Sequence, residues 1–240
     1  MSIGWISFLP AWPSVSPTKF GRIRWHRFGS GFQTWCEGSG GLSLFVTRRF
    51  DVLPAREVRP DFIFWGRINV EKGLERALRI FADILRQNPA AKFWIIGPEG
   101  GDLQATQQLC KVLGVVNEVV FLGAATLDEI AGHARKASFY LQTSRFEGMA
   151  MSVVEAMQLG LVPIVTPVGE IPSYCGHGVN ALIVESDQQV VEEVRALLSS
   201  NEKYQGMRLS GIEAWTDRPL YAESVLQACE ALLAGSKKVM

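Results

Sequence analysis

The stretch Ser144-Arg-Phe-Glu147-Gly-Met-Ala-Met-Ser-Val-Val-Glu155-Ala-Met-Gln-Leu-Gly160 decides the fold, because it follows directly on the apolar run Phe139-Tyr-Leu-Gln142. Those residues spell a buried strand, a short turn and a helix that opens at or just after Gly148 and runs over Met149–Leu159. One Glu stands before the helix and the second lies eight positions later, inside it. The first N–H groups of such a helix have no intrahelical acceptor, and with the helix dipole they suit an anion, typically a phosphate. A carboxylate beside that anion would repel it, so Glu147 and Glu155 read better as acceptors for hydroxyl groups. A ligand that carries both phosphate and vicinal hydroxyls, such as a nucleotide sugar, suits the arrangement.

The same rhythm extends outward on both sides. Short apolar runs read as buried strands over Phe62–Trp65, Phe93–Ile96, Val119–Leu122, Phe139–Leu141, Val162–Val165 and Ala181–Val184. Amphipathic patterns between them read as helices over Leu74–Gln87, Asp102–Leu113, Leu127–Lys136, Met149–Leu159 and Gln188–Ser199, with a last helix near Leu220–Leu233. Continuous apolar strands alternating with helices predict an α/β domain, a Rossmann-like doubly wound parallel sheet covered on both faces, over 61–235. Ligands of such sheets bind beyond the carboxyl ends of the strands. Residues 1–60 differ. They hold eight Lys or Arg against three acids, an excess of five positive charges, while the remainder has 16 against 21. Pro10, Pro13, Pro17 and the Gly-Ser stretch 38–41 interrupt any period, so this part is read as an irregular basic N-terminal segment, with a possible strand at Leu42–Val46 and a linker from Pro54 to Pro60.

Composition excludes several classes. Hydrophobic residues make up 48% and charged residues 20%, which suffices for a sizeable core. With 24 Lys and Arg against 24 Asp and Glu, long-range attraction to nucleic acid is not the theme, and no nucleic-acid partner is expected. Cys36, Cys110, Cys175 and Cys229 are dispersed without metal-ligand spacing and read as reduced thiols of a cytoplasmic protein. No run reaches the roughly 18 apolar residues of a membrane span. Residues 3–12 are apolar but short, broken by Pro10 and without a basic start, which argues against a signal peptide. Peripheral contact with a membrane stays open.

After the first strand, the loop Arg67-Ile-Asn-Val-Glu-Lys72-Gly73 can bring two cations to one anion, Arg as a bidentate fork and Lys as a point charge. Two solvated surface charges are the alternative. Gly97-Pro-Glu-Gly-Gly101 follows the second strand but lacks the G-x-G-x-x-G spacing of a nicotinamide site, and no G-x4-G-K-[ST] loop exists. No Asp-x-Asp pair occurs, so no metal site is expected and a diphosphate would be met by side-chain cations and the helix N-terminus. His26, His133 and His177 are isolated and read as structural or exposed.

Taken together, Gly66-Arg67…Lys72-Gly73, Ile96-Gly97, Phe121-Leu-Gly123, Lys136-Ala-Ser138, Ser144, the Glu pair at E-x7-E spacing, Pro163-Ile-Val-Thr166, Gly169, Gly178-x-Asn180 and Trp215 resemble a known family. In this order they are similar to the donor-binding domain of retaining glycosyltransferases with the GT-B fold, the glycosyl transferases group 1 domain. The resemblance covers most of 61–234 and implies one half of a GT-B fold. It implies donor binding by Gly66, Arg67, Lys72, Gly97, Glu147, Gly148, Met149, Ala150, Met151 and Glu155. Within that set Arg67 and Lys72 would hold the diphosphate, Glu147 the hydroxyls of the transferred sugar and Glu155 the ribose hydroxyls. The N–H groups of Gly148 to Met151 would hold the distal phosphate, and Glu147, Arg67 and Lys72 would be the catalytic residues. The substrate would be a nucleoside-diphosphate sugar, UDP or GDP first, with no further cofactor. The chain departs from the family at Met149-Ala150, where Phe-Gly is common, and at Gly169-Glu170-Ile-Pro-Ser173, so no role passes to the later acid there. The family's acceptor domain has no counterpart in residues 1–60, which are too few for one. A truncated frame, an excised domain and one subunit of a split enzyme with an acceptor-domain partner chain are the alternatives. A non-catalytic nucleotide-sugar-binding or regulatory subunit and a two-domain epimerase or phosphorylase are the competing functions.

Overall fold

The computed structural model describes residues 46–236. Residues 46–227 belong to one compact unit, and 228–236, which continue the last helix, belong to a second. In chain order the elements are β1 (Phe62–Trp65), a 3-10 turn (Val70–Lys72), α1 (Leu74–Gln87), β2 (Phe93–Ile96), α2 (Leu103–Leu113), β3 (Val119–Gly123), α3 (Leu127–Ala134), β4 (Phe139–Gln142), α4 (Met151–Leu159), β5 (Val162–Val165), α5 (Ile171–Tyr174), β6 (Leu182–Ile183), α6 (Asp187–Leu198), α7 (Asn201–Thr216) and α8 (Tyr221–Ser236). The expected α/β class is observed. All six strands are parallel, in the order β3-β2-β1-β4-β5-β6.

That order places the reversal of winding between β1 and β4, where Phe62 pairs with Phe139 and Ile63 with Tyr140. The loops leaving two adjacent strands diverge there to opposite sides and leave a crevice, which is where ligands of such sheets bind. β1, β4 and β5 are buried at every position, as strands covered on both faces must be. Aromatic rings fill the centre: Phe62 stacks on Phe139 at 5.2 Å and meets Phe81 edge-on at 5.8 Å. Pro163 is tolerated in β5 because β6 is only two residues long. Its pairing starts at Ile164, so the missing N–H of Pro163 has no ladder partner to lose.

Helix α7 is absent from the elements expected from the sequence. Its buried side is Tyr204, Met207, Arg208, Gly211 and Trp215, a helical spacing, but an Arg and a Gly stand where apolar residues would announce it. Gly211 brings α7 close to Met157 of α4, and Arg208 donates to the carbonyl of Leu53. Residues 46–60 contain no helix or strand. They nonetheless bury Val46 and Leu53 in the core, and Leu53 N donates to Leu159 O at 3.1 Å. Arg56 donates to the carbonyls of Ala134 and Ala137 at the end of α3. Residues 1–45 of the basic segment, including all of the possible strand at 42–46 except Val46, fall outside the described residues. Among the described residues no helix is long and apolar enough to cross a membrane.

Candidate functional site

Two loops build the site, one leaving β1 and one leaving β4, and hydrogen bonds to the β1 loop's carbonyls lock them together. Arg145 N donates to Glu71 O at 2.7 Å, and Thr143 Oγ1 donates to Gly73 O at 2.7 Å. Asn69 caps the 3-10 turn by accepting from Lys72 N at 3.2 Å, which aims the Lys72 side chain across the crevice. Lys72 Nζ then lies 2.6 Å from Glu147 Oε1. The two candidate residues on separate loops are thus in contact. Arg67 goes elsewhere: it is exposed, and its aliphatic stem lies over the backbone of Gly100 in the turn after β2. The expected meeting of both cations at one point is therefore not seen, and Lys72 is paired to a carboxylate instead. Gly66 and Gly97 are the seam between β1 and β2. A side chain at Gly97 would place its Cβ 1.8 Å from Gly66 O.

Glu147 Oε1 accepts three hydrogen bonds: from Lys72, from Ser144 Oγ at 2.7 Å and from Gln142 Nε2 at 2.8 Å. Its other oxygen takes part in none of them. Gln142 is fully buried, and its Oε1 accepts from Ser152 Oγ at 2.9 Å and from the Tyr140 hydroxyl. Glu155 is engaged in the same one-sided way, with Oε2 accepting from Trp65 Nε1 at 2.8 Å. Burial pushes the Glu155 carboxyl above the ordinary range, and the Trp65 bond opposes that shift. Each motif carboxylate is thus held by one oxygen, with the second left for another donor. Trp65, Gln142 and Ser152 were not among the candidates. Trp65 and Gln142 end apolar strands and read as core, although a Gln closing a run such as Phe-Tyr-Leu-Gln marks a buried amide in need of partners.

The turn before α4 differs from expectation. The helix opens at Met151, not at Met149, because the carbonyls ahead of it are turned outward to other partners. Gly148 O accepts from Glu170 N at 2.9 Å, and Met149 O accepts from the Tyr174 hydroxyl at 3.0 Å. Gly169 sits so close beneath that a Cβ would lie 2.3 Å from Glu147 O, and its φ of 59° favours glycine. Ala150, the N-cap, takes φ 49° and ψ 58° and is the one non-glycine residue with positive φ among the described residues. It supplies no side-chain cap, so the first turn of α4 keeps free N–H groups. Of the expected Gly148–Met151 set, only Met151 lies in the helix. Left-handed Ala is strained by about 1–2 kcal/mol, so Ala150→Gly is expected to stabilise the protein by about 1 kcal/mol and raise Tm by about 2–4 °C. A thermal melt by circular dichroism reads this directly, and an unchanged or lower Tm would show that the turn relaxes around the methyl.

A cavity of about 480 Å³ adjoins the site beside Ser144, between α1 and the start of α6, lined in part by Thr143, Arg145, Thr166 and an Arg76–Asp187 ion pair at 2.6 Å. Neither Glu147 nor Glu155 lines it. Among the described residues no group of three or more His, Cys, Asp or Glu could hold a metal ion.

Comparison with known proteins finds glycosyltransferases. A "Glycosyltransferase YqgM" of Bacillus subtilis, itself uncharacterized, is 27% identical over 146 residues, 60% of this chain and 40% of its own. A GDP-mannose:cellobiosyl-diphosphopolyprenol alpha-mannosyltransferase of Xanthomonas campestris is 26% identical over 158 residues, 64% of this chain and 42% of its own. The chain spans less than half the length of these curated relatives. Among solved structures, a TarM variant of S. aureus bound to UDP and other ligands superposes with a TM-score of 0.69 at 15% identity, over 81% of this chain and 38% of that one. The C-terminal domain of a glycosyl transferase group 1 protein (LpcC) of Francisella tularensis superposes with a TM-score of 0.60 at 22% identity, over 78% of this chain and 91% of that one. The model of the family described as glycosyl transferases group 1 matches residues 46–213, well over half of the sequence. With the Glu pair at the switch point of a six-stranded parallel sheet, this chain belongs to the glycosyl transferases group 1 family, as a domain of the GT-B kind.

Proposed function

We propose that this chain is the donor-binding half of a glycosyltransferase. It takes a nucleoside-diphosphate sugar, with UDP or GDP as the nucleotide, and transfers the sugar with retention and without a metal ion to an acceptor held by another domain or chain. One observation carries the reading: Glu147 and Glu155 stand at the carboxyl edge of the sheet, each with one oxygen bound by the protein and the other uncommitted. On this reading Glu147 accepts from the sugar hydroxyls and Glu155 from the ribose. Lys72 leaves Glu147 for the diphosphate, Arg67 reaches it from the start of the same loop, and the uncapped start of α4 receives the distal phosphate. Stabilising negative charge on the departing diphosphate is the catalysis these groups supply. The UDP in the TarM structure and the GDP-mannose in the Xanthomonas name belong to those proteins, and they agree with this ligand class. A cytoplasmic setting agrees with Cys110 and Cys175 being free, buried thiols.

Calorimetric titration with UDP, GDP, ADP and their sugars, with and without EDTA, tests the proposal. Binding of one nucleotide series in the micromolar range, unchanged by EDTA and lost in an Arg67→Ala/Lys72→Ala double variant, is the expected result. Binding of none of the three, or undiminished affinity in a folded double variant, would overturn it.

A further inference from the structure

We infer that Gln142 is a positioning residue for Glu147, one that aims its free oxygen at the donor sugar; the inference rests on the function proposed above. Gln142 has no exposure to solvent, and it closes β4 at the switch point, five residues ahead of Glu147. Both ends of its side-chain amide are hydrogen-bonded beside the site. The amide N donates to Glu147 Oε1 at 2.8 Å, while the amide O receives Ser152 Oγ at 2.9 Å and the Tyr140 hydroxyl. The amide orientation follows from those partners, because a carboxylate requires the NH₂ and two hydroxyl donors favour the carbonyl. Ser152 lies in the first turn of α4, so Gln142 ties the carboxylate to the helix start that faces the phosphates.

The three donors on Glu147 are not equivalent. Lys72 is partly exposed and charged, and in the proposed function it transfers to the diphosphate. Ser144 and Gln142 are buried and neutral and stay in place, so the direction of Glu147 in the ligand-bound site depends on them. Ser144 shares its loop with Glu147, whereas Gln142 reaches it from the sheet. Gln142 is therefore the donor anchored to the rigid part of the fold, as a positioning group should be.

The experiment compares the affinity for a nucleoside-diphosphate sugar with that for the corresponding nucleoside diphosphate, by calorimetry on the full chain. Gln142→Leu removes the amide at similar volume. Its expected result is a fall of about tenfold in the ratio of sugar-nucleotide to nucleotide affinity, with the affinity for the nucleotide unchanged, the size set by a lost hydrogen bond to a charged group. A purely structural role would lower both affinities together or neither, and either pattern in a folded variant overturns the inference. If Gln142→Leu does not fold, Ser152→Ala applies the same test. It removes one of the two hydroxyls that orient the amide, and a smaller fall in the same ratio is expected, with an unchanged ratio overturning the inference. Failure of the wild-type chain to bind any nucleotide would instead remove the proposed function, and this inference with it.

Discussion

Gly97→Ala is expected to cost more than about 4 kcal/mol and to leave little folded protein at 37 °C. Two causes add at this position. Its φ of 153° lies where L side chains rarely go, and the new Cβ would sit 1.8 Å from the carbonyl oxygen of Gly66, with the carbonyl carbon at 2.7 Å. That neighbour is backbone and cannot swing aside like a side-chain end. β1 and β2 are held in register from Phe62 opposite Phe93 to Trp65 opposite Ile96, and Gly97 N donates to Gly123 O at 2.7 Å on its other side. Relief of the clash would therefore spread the sheet. Gly114 is the control, because its φ of 72° is also positive but nothing lies within 4 Å of its would-be Cβ. Gly114→Ala is expected to cost only about 1 kcal/mol. Urea unfolding of both variants separates strain from collision, and equal midpoints would show that the seam between the strands is loose.

Lys72→Met should destabilise the ligand-free protein by about 2 kcal/mol, the second largest effect. Breaking a buried ion pair costs about 3–5 kcal/mol when a charge is left without compensation. Here the lysine side chain is 22% exposed, and Glu147 keeps the donors Gln142 and Ser144, so the lower figure applies. The sign follows from Glu147, whose side chain is only 7% exposed and would stay buried without its cation. Adding Glu147→Gln should return part of the loss, since the stranded charge is then gone. A double-mutant cycle by urea denaturation gives the coupling, expected at about 1–3 kcal/mol. A coupling near zero would mean that the 2.6 Å contact adds nothing to stability.

The strands and the class of fold were legible because fully buried parallel strands are continuous apolar runs. Phe-Ile-Phe-Trp, Phe-Trp-Ile-Ile and Val-Pro-Ile-Val begin and end where the sequence pattern predicts. Helix α7 was not legible, because Arg208 and Gly211 occupy its inward side and each does its work through a tertiary partner. The loops of the site were legible in composition but not in conformation. The start of α4 is set by Glu170 and Tyr174 pulling on carbonyls twenty or more residues earlier in the chain, and no local propensity contains that information. The same holds for the one-sided grip on the two Glu residues. E-x7-E spacing announces the carboxylates, whereas Trp65 reaches Glu155 across 90 residues of sequence.

The strap formed by residues 46–60 has a consequence for anyone cutting this gene into pieces. Leu53 is clamped between the backbone of Leu159 and the guanidinium of Arg208, and Arg56 is tied to the end of α3. The packed unit therefore begins upstream of β1, and the family match likewise starts at residue 46. An expression clone opening at Asp61 would uncover Leu159 and leave a buried arginine facing no acceptor, so primers belong ahead of Val46.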